Sequence, residues 1–129
     1  MTPDLLEQLL KRAVEAVSAA RAPWSGFKVG AAILAADGRI FTGCNIENQS
    51  LTLSVCAEKV ALYKAVSEGA AGLKAIAITS GSGQPCFPCG SCRQLLFEFA
   101  PGIKIILPSR ASVKTYTVKE LLPEPFAKE

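Results

Sequence analysis

The order of apolar and polar residues predicts that the chain opens with an amphipathic helix. Between residue 4 and about residue 20, apolar side chains recur at spacings of one, three and four, as they do along one helical face. Thr2 provides a cap for this helix, and Pro3 suits its first turn. We expect the helix to contribute packing and no chemistry.

The segments that follow have the composition of β-strands. Two β-prone stretches, 27–35 and 39–45, flank Asp37-Gly38, a dipeptide typical of tight hairpin turns. The polar stretch between residues 45 and 50 is predicted to be a loop. Further along the chain, short apolar runs predict two buried strands and one edge strand, at 73–79, 103–107 and 114–117.

Three more helices are predicted between these strands. Ser54 is placed to cap a helix that runs to about Ser67 and ends at Glu68-Gly69. The two later helices are expected at 91–99 and 118–122. Helices that alternate with strands after an opening hairpin predict an α/β fold, a three-layer α/β/α sandwich with a mixed sheet of about five strands. The length predicts a single domain spanning 1–129.

Composition and charge narrow the range of partners. The 14 basic and 11 acidic residues give a formal charge of +3 and are spread along the chain. No basic block of the kind that follows a phosphate backbone is present, so we expect no nucleic-acid partner. No apolar run approaches the ~20 residues that a membrane span needs, and the N-terminus does not resemble a signal peptide. We therefore expect a soluble, cytoplasmic protein with no membrane partner.

The cysteines and the lack of histidine restrict the possible chemistry. Five cysteines are an odd number, which in a reducing compartment favours thiols for metal binding or catalysis over a disulfide framework. The chain has no histidine, which excludes Ser-His and Cys-His dyads and any zinc site with imidazole ligands. A metal site in this chain must be made of sulfur and carboxylate.

Three cysteines have the spacing of a catalytic zinc site. Cys89 and Cys92 are three residues apart at a predicted helix N-terminus, and Cys56 lies in the first turn of another helix. Three protein ligands leave a fourth position for water, whose pKa zinc lowers toward ~7. Glu58 follows Cys56 by two residues and is placed to carry protons rather than to bind metal. A ligand-x-Glu followed by Pro-Cys-x-x-Cys is the signature of zinc deaminases.

Other interpretations of the thiols remain open at this point. Cys86-x-x-Cys89 forms a second, overlapping Cys-x-x-Cys pair, and such pairs also occur in redox proteins. Cys86 is a possible fourth ligand of a closed, structural zinc site, although its place before Phe87-Pro88 predicts that it points away from the other thiols. Cys44 is predicted to be a buried strand residue.

Five segments of the chain match the pattern of a known family. They are Ser25-Gly26-Phe27-Lys28-Val29-Gly30-Ala31-Ala32, Gly43-Cys44-Asn45-Ile46-Glu47-Asn48, Cys56-Ala57-Glu58, Pro88-Cys89-Gly90-Ser91-Cys92-Arg93-Gln94 and Glu120-Leu121-Leu122-Pro123. Over nearly its whole length the chain thus resembles the small, homotetrameric, three-cysteine cytidine deaminases. This resemblance implies one zinc ion per chain, and it implies hydrolytic deamination of cytidine and deoxycytidine to uridine and deoxyuridine in pyrimidine salvage. Zinc hydroxide would attack C4 of the base while Glu58 shuttles protons.

The same resemblance implies a nucleoside pocket. Phe27 would stack on the pyrimidine, and Asn45 and Glu47 would form hydrogen bonds with the ribose hydroxyls. Ala57 would offer backbone contacts to the base. Phe126 would close over the site of a neighbouring subunit in a homotetramer.

Three positions differ from the family's usual pattern. Lys59 stands where the family often has an arginine that donates to the thiolates. A lysine carries the same charge but cannot bond two sulfurs in the planar way of a guanidinium. Leu51 replaces an aromatic residue and Phe87 a small one, and both make the rim of the pocket more apolar. These differences leave a second candidate, a deaminase of a modified aminopyrimidine nucleoside such as blasticidin S.

Overall fold

The computed structural model describes residues 1–128 and consists of a five-stranded sheet with helices on both faces. A single turn of 3-10 helix, Leu51–Leu53, precedes the second α-helix. In chain order the elements are α1 (Pro3–Val17), β1 (Gly30–Ala35), β2 (Ile40–Cys44), α2 (Ala57–Ser67), β3 (Leu73–Thr79), α3 (Gly90–Phe99), β4 (Lys104–Pro108), β5 (Val113–Thr117) and α4 (Val118–Leu121).

The sheet is mixed, in the order β2-β1-β3-β4-β5. Only β3 and β4 are parallel, and the other neighbouring pairs are antiparallel. Gly30 pairs with both Cys44 and Thr79, so β1 begins at the end of the sheet where β2 and β3 finish. The segments 24–29, 45–48 and 80–89, which hold Phe27, Asn45, Glu47 and Cys89, therefore leave the sheet at the same end.

Two apolar clusters make the sheet the middle layer of the fold. Leu9 and Ala13 of α1 pack on one face of the sheet. Leu62 of α2, Leu96 of α3 and Val118 of α4 pack on the other. All six residues of β1 are buried because both faces of this strand are covered. The predicted three-layer sandwich is confirmed.

Two glycines let the helices approach the sheet closely. A Cβ at Gly30 would lie 2.1 Å from the Ala13 carbonyl oxygen of α1. A Cβ at Gly43 would lie 2.5 Å from both the Ala57 oxygen and the Ala61 nitrogen of α2. Real Cβ atoms do not tolerate such contacts with backbone, so Gly43 allows the first turn of α2 to sit directly against β2.

The first α-helix and the hairpin strand are shorter than the sequence predicts. The first α-helix ends at Val17 instead of near residue 20, and β1 begins at Gly30 instead of residue 27. Ahead of β1, the Val29 N–H donates to the Asn45 side-chain oxygen (2.8 Å), and the Asn45 N–H donates to the Val29 carbonyl (3.2 Å). Because the Asn45 side chain replaces a backbone partner of Val29, regular strand pairing starts at the next residue, Gly30.

The predicted cap of α2 is wrong. Ser54 does not cap the helix, because its hydroxyl accepts a hydrogen bond from the Asn48 N–H (2.9 Å). Cys56 occupies the N-cap position, and its backbone is extended (φ −77°, ψ 155°). No helix within residues 1–128 has the length and apolar character needed to cross a membrane.

Candidate metal centre

Two of the predicted ligands occupy equivalent positions on two helices. Cys56 is the N-cap of α2 and Cys89 is the N-cap of α3, and both have extended backbones. Neither thiol makes a capping hydrogen bond to its helix, so both sulfurs are available to a ligand. Cys92 lies in the first turn of α3, fully buried. Two helix N-termini thus direct their partial positive charge at one group of sulfurs.

The sulfur atoms have the separations that a tetrahedral zinc ion requires. The ligand atoms of Cys56, Cys89 and Cys92 all lie within 4.8 Å of one another, and the Cys56 and Cys89 sulfurs are 3.8 Å apart. Two thiolates bound to zinc at about 2.3 Å with a tetrahedral angle are about 3.8 Å apart. No imidazole competes for the site, and three thiolates suit Zn²⁺ better than Mg²⁺ or Ca²⁺. The residues present therefore fit zinc with one coordination position left over.

The thiols influence one another's ionisation. A hydrogen bond with the Cys92 thiol lowers the pKa of Cys56 to about 6, and the Cys89 thiol and the Lys59 charge act in the same direction. The hydrogen bond to Cys56, together with burial, raises the pKa of Cys92. One thiolate is therefore stabilised by protons on its neighbours. A bound dication supplies positive charge in place of those protons, which couples metal binding to proton release.

Glu58 lies beside the sulfurs but is not one of the grouped ligand atoms. It is the second residue of α2, and only 5% of it is exposed. Burial raises the pKa of its carboxyl group, and the negative charge of Cys56 adds to the effect. A carboxyl group whose pKa is shifted toward neutrality can both accept and donate a proton, as general acid–base catalysis requires.

Cys86 stands apart from the three grouped thiols. It lies in the extended segment before α3 and is packed against the apolar cluster under α2 and α3. Burial raises the pKa of Cys86 to about 11, so it remains a protonated thiol at neutral pH. The geometry therefore gives no support to a closed four-thiol site. Cys44, expected to be buried, is half-buried at the end of β2.

Asn45 ties the segment before β1 to the end of β2. Its side-chain oxygen accepts from the Val29 N–H, and its side-chain nitrogen donates to the Phe27 carbonyl (2.7 Å). The ring of Phe27 is 51% exposed, so it is not a core residue. Asn45 thus fixes the backbone from which the Phe27 ring projects, and its amide group retains one hydrogen and one lone pair for another partner.

Glu47 organises the turn that precedes Phe27. One of its carboxylate oxygens accepts from the backbone N–H groups of Trp24 (3.0 Å) and Ser25 (3.1 Å), and the other accepts from the Ser25 hydroxyl. The Ser25 hydroxyl in turn accepts from the Phe27 N–H (3.0 Å). The Ser25 hydroxyl is the main reason that the pKa of Glu47 lies below its ordinary value, and the two backbone donors add to it. Glu47 is thus an ionised acceptor linked to Phe27 through Ser25.

Backbone hydrogen bonds join this loop to the start of α2. Ile46 and Val55 exchange two hydrogen bonds of 3.0 Å, and Glu47 donates its N–H to the Arg21 carbonyl (2.8 Å). The bridge between Ile46 and Val55 lies next to Cys56, so it brings the segment with Asn45 and Glu47 beside the N-terminus of α2. Ala57, the first residue of that helix, is fully buried there.

The remaining positions lie around this end of the fold. Lys59 is half-buried in the first turn of α2, where its charge favours the Cys56 thiolate. Leu51 is 73% exposed, and the Phe87 ring packs against Tyr116 with 5.5 Å between ring centroids. Phe126 is 75% exposed.

Sequence reasoning gave no role to Arg93, although it directly follows Cys92 in a matched segment. Its guanidinium donates to the Pro88 carbonyl (2.8 Å) and to the Leu121 carbonyl (2.8 Å). It therefore joins the approach to Cys89 to the end of α4. The only sequence signal for this contact was the position of the arginine next to a predicted ligand.

Comparisons with known proteins agree with this geometry. A family model described as "Cytidine and deoxycytidylate deaminase zinc-binding region" matches residues 3–107. The cytidine deaminase of Sporosarcina psychrophila is 42% identical over 126 residues, covering 96% of this chain and 93% of the relative. The cytidine deaminase of Mycobacterium tuberculosis H37Rv is 39% identical over 125 residues, covering 96% and 92%.

Solved structures give the same result. The crystal structure of cytidine deaminase from Burkholderia pseudomallei has a TM-score of 0.88 and 38% sequence identity, covering 98% of this chain and all of that one. The family match and the three grouped thiols confirm the predicted zinc site, and these relatives do not favour the antibiotic deaminase. The chain belongs to the cytidine and deoxycytidylate deaminase family.

Proposed function

We propose that this protein is a zinc-dependent enzyme that hydrolyses cytidine and deoxycytidine to uridine and deoxyuridine with release of ammonia. The observation that carries the proposal is the group of three sulfurs at two helix N-termini with a buried carboxyl group beside it. The sulfurs supply a three-ligand metal site, and the carboxyl group supplies proton transfer. Family membership and the names of the relatives support the choice of cytidine as substrate.

Each residue of the centre has a separate task. Cys56, Cys89 and Cys92 would hold the zinc ion, which supplies Lewis-acid activation of water near neutral pH. Glu58 would take a proton from the attacking water on a carboxylate oxygen and deliver it to N3 of the base. Glu58 would then carry the remaining proton of the new C4 hydroxyl group to the amino nitrogen, and the C4–N bond would break to release ammonia. The buried position of Glu58 supports this role because bulk water has little access to its carboxyl group.

The loops around the centre would hold the nucleoside. The half-exposed Phe27 ring would stack on the pyrimidine, and the backbone of Ala57 would contact the base. Asn45 has one side-chain hydrogen and one lone pair still free, and Glu47 has room for another donor on the oxygen that binds Ser25. These free positions suit ribose hydroxyls, which both donate and accept.

The proposed assembly rests on the family resemblance. We expect a homotetramer, in which Phe126 closes over a neighbouring site. The apolar side chains of Leu51 (73% exposed), Leu53 (66%) and Phe126 (75%) are available for contacts between subunits. A particle of four times the 13.6 kDa chain mass in light scattering is the expected result. We also propose a cytoplasmic location, because a reducing compartment keeps cysteines as free thiols. The chain is proposed to form a single domain.

The test is turnover of a panel of substrates by the zinc-loaded enzyme. We expect about one zinc per chain and efficient conversion of cytidine and deoxycytidine. Free cytosine should react at least about 100-fold less efficiently, because it cannot use the contacts expected from Asn45 and Glu47. A higher kcat/KM on blasticidin S than on cytidine would overturn the proposal in favour of the antibiotic deaminase. An absence of turnover with bound zinc would remove the enzymatic assignment altogether.

A further inference from the structure

The C-terminal segment is attached to α3 immediately after the two metal ligands of that helix. The side-chain nitrogen of Gln94 donates to the Phe126 carbonyl (2.8 Å), and its side-chain oxygen accepts from the Phe126 N–H (3.0 Å). One amide group therefore satisfies both backbone groups of one tail residue. Since Gln94 is two residues after Cys92, the position of Phe126 is set relative to the same helix that positions Cys89 and Cys92.

Two prolines lie in the tail between α4 and Phe126. Pro123 and Pro125 line an open groove of about 180 Å³ together with Phe97 and Pro101 of the α3 region. The prolines also stiffen the chain, because each ring locks its own φ and restricts the residue before it. Anchoring the backbone of Phe126 therefore sets the point from which its ring projects.

The ring that is held in this way packs very little on its own chain. Phe126 is 75% exposed, so the order that Gln94 imposes gains almost no burial of the ring. Ordering a terminal segment loses conformational entropy, and the two hydrogen bonds help to offset this loss. The arrangement holds the backbone of Phe126 in place and leaves its ring exposed to contacts outside the subunit.

We infer that Gln94 is a positioning residue that holds the Phe126 ring against the nucleoside bound at the site of an adjacent copy of the chain. This inference rests on the proposed function, because it takes the nucleoside as the partner of the ring. Gln94 itself does not touch the substrate; it acts through Phe126. Its removal should therefore weaken substrate binding without changing the chemical step.

The experiment is a double-mutant cycle on the zinc-loaded enzyme with Gln94→Ala, Phe126→Ala and the double variant. We expect Gln94→Ala to raise KM for cytidine about tenfold with kcat within about twofold, the effect of losing two ordinary hydrogen bonds. In the Phe126→Ala background the same change should add nothing, since the ring it positions is absent. Glu98→Ala is the matched control, an exposed residue of the same helix that makes no side-chain hydrogen bond within residues 1–128.

Hydrogen exchange tests the attachment independently of activity. The Phe126 amide should exchange at least about tenfold faster in Gln94→Ala than in the wild type, because its acceptor is gone. Additive effects in the double variant, lost zinc in Gln94→Ala or an unchanged KM in Phe126→Ala would each overturn the inference. A wild-type enzyme that does not turn over cytidine would refute the proposed function instead, and the exchange rates would still show whether Gln94 orders the tail.

Discussion

Replacing Glu58 by glutamine isolates proton transfer from the other features of the centre. The amide has nearly the shape of the carboxyl group, so the packing around this 5% exposed side chain is retained. It cannot exchange protons with water or base at neutral pH. The carboxyl group is not one of the grouped ligand atoms, so the three sulfurs should still bind zinc. The change thus removes one chemical capability from an otherwise intact site.

The expected magnitude follows from the burial of this residue. Positioned general acid–base groups contribute about 10²- to 10⁴-fold, or about 3–5 kcal/mol of activation free energy. We expect the upper part of this range, since a buried carboxyl group is not easily replaced by bulk water as a proton carrier. Stability should not fall, because burial already disfavours the ionised form of Glu58, and the amide carries no charge.

The assay compares steady-state kcat, zinc per chain and melting temperature for Glu58→Gln and Glu98→Gln, the latter an exposed control on α3. We expect a fall in kcat of at least about 1000-fold for Glu58→Gln, with zinc and melting temperature at the wild-type level. A Glu58→Gln enzyme that kept more than a tenth of the wild-type kcat would refute the assigned role. Loss of zinc together with activity would instead make Glu58 part of the metal site.

Three further predictions concern the ligands, the helix contact and the loop. In a colorimetric zinc assay, Cys89→Ser should release zinc to a chelator at least about tenfold faster than the wild type, whereas Cys86→Ser should retain zinc. Equal retention by the two variants would contradict the assignment of Cys89 as a ligand. Gly43→Ala should lower the free energy of unfolding in urea by at least about 2 kcal/mol, and Gly102→Ala, which has open space, should not. Glu47→Gln should lower the free energy of unfolding in urea above pH 4.5, where the wild-type carboxylate is ionised. The difference from the wild type should shrink as the pH falls through the lowered pKa of Glu47 in the folded state, and a difference that stays constant with pH would contradict this.

The residues of the metal centre could be predicted from the sequence because their chemistry depends on local spacing. The three-residue interval places Cys89 at the N-cap and Cys92 in the first turn of the same helix, and Glu58 follows Cys56 by two residues in any helix that starts there. The absence of histidine restricted the ligands to sulfur and carboxylate before any fold was known. The alternating apolar segments likewise predicted the five strands and the layers around them.

Contacts between residues far apart in the sequence could not be predicted from local spacing. Ser54 was assigned as a cap on local preference, but the fold brings the Asn48 N–H to its hydroxyl and leaves the N-cap position to Cys56. Likewise, the Asn45 side chain forms hydrogen bonds with backbone groups 16 and 18 residues away. Several partners compete for each short polar side chain, and only the folded chain determines which of them is near.

The sequence by itself identified the residues that we propose to bind zinc and move protons. Only the tertiary structure decided that β1 and the ends of β2 and β3 meet at one end of the sheet and that Gln94 holds the backbone of Phe126, 32 residues away. The physical reason is that helical spacing repeats within a few residues, whereas convergence of distant segments depends on strand order and on packing across the whole sheet.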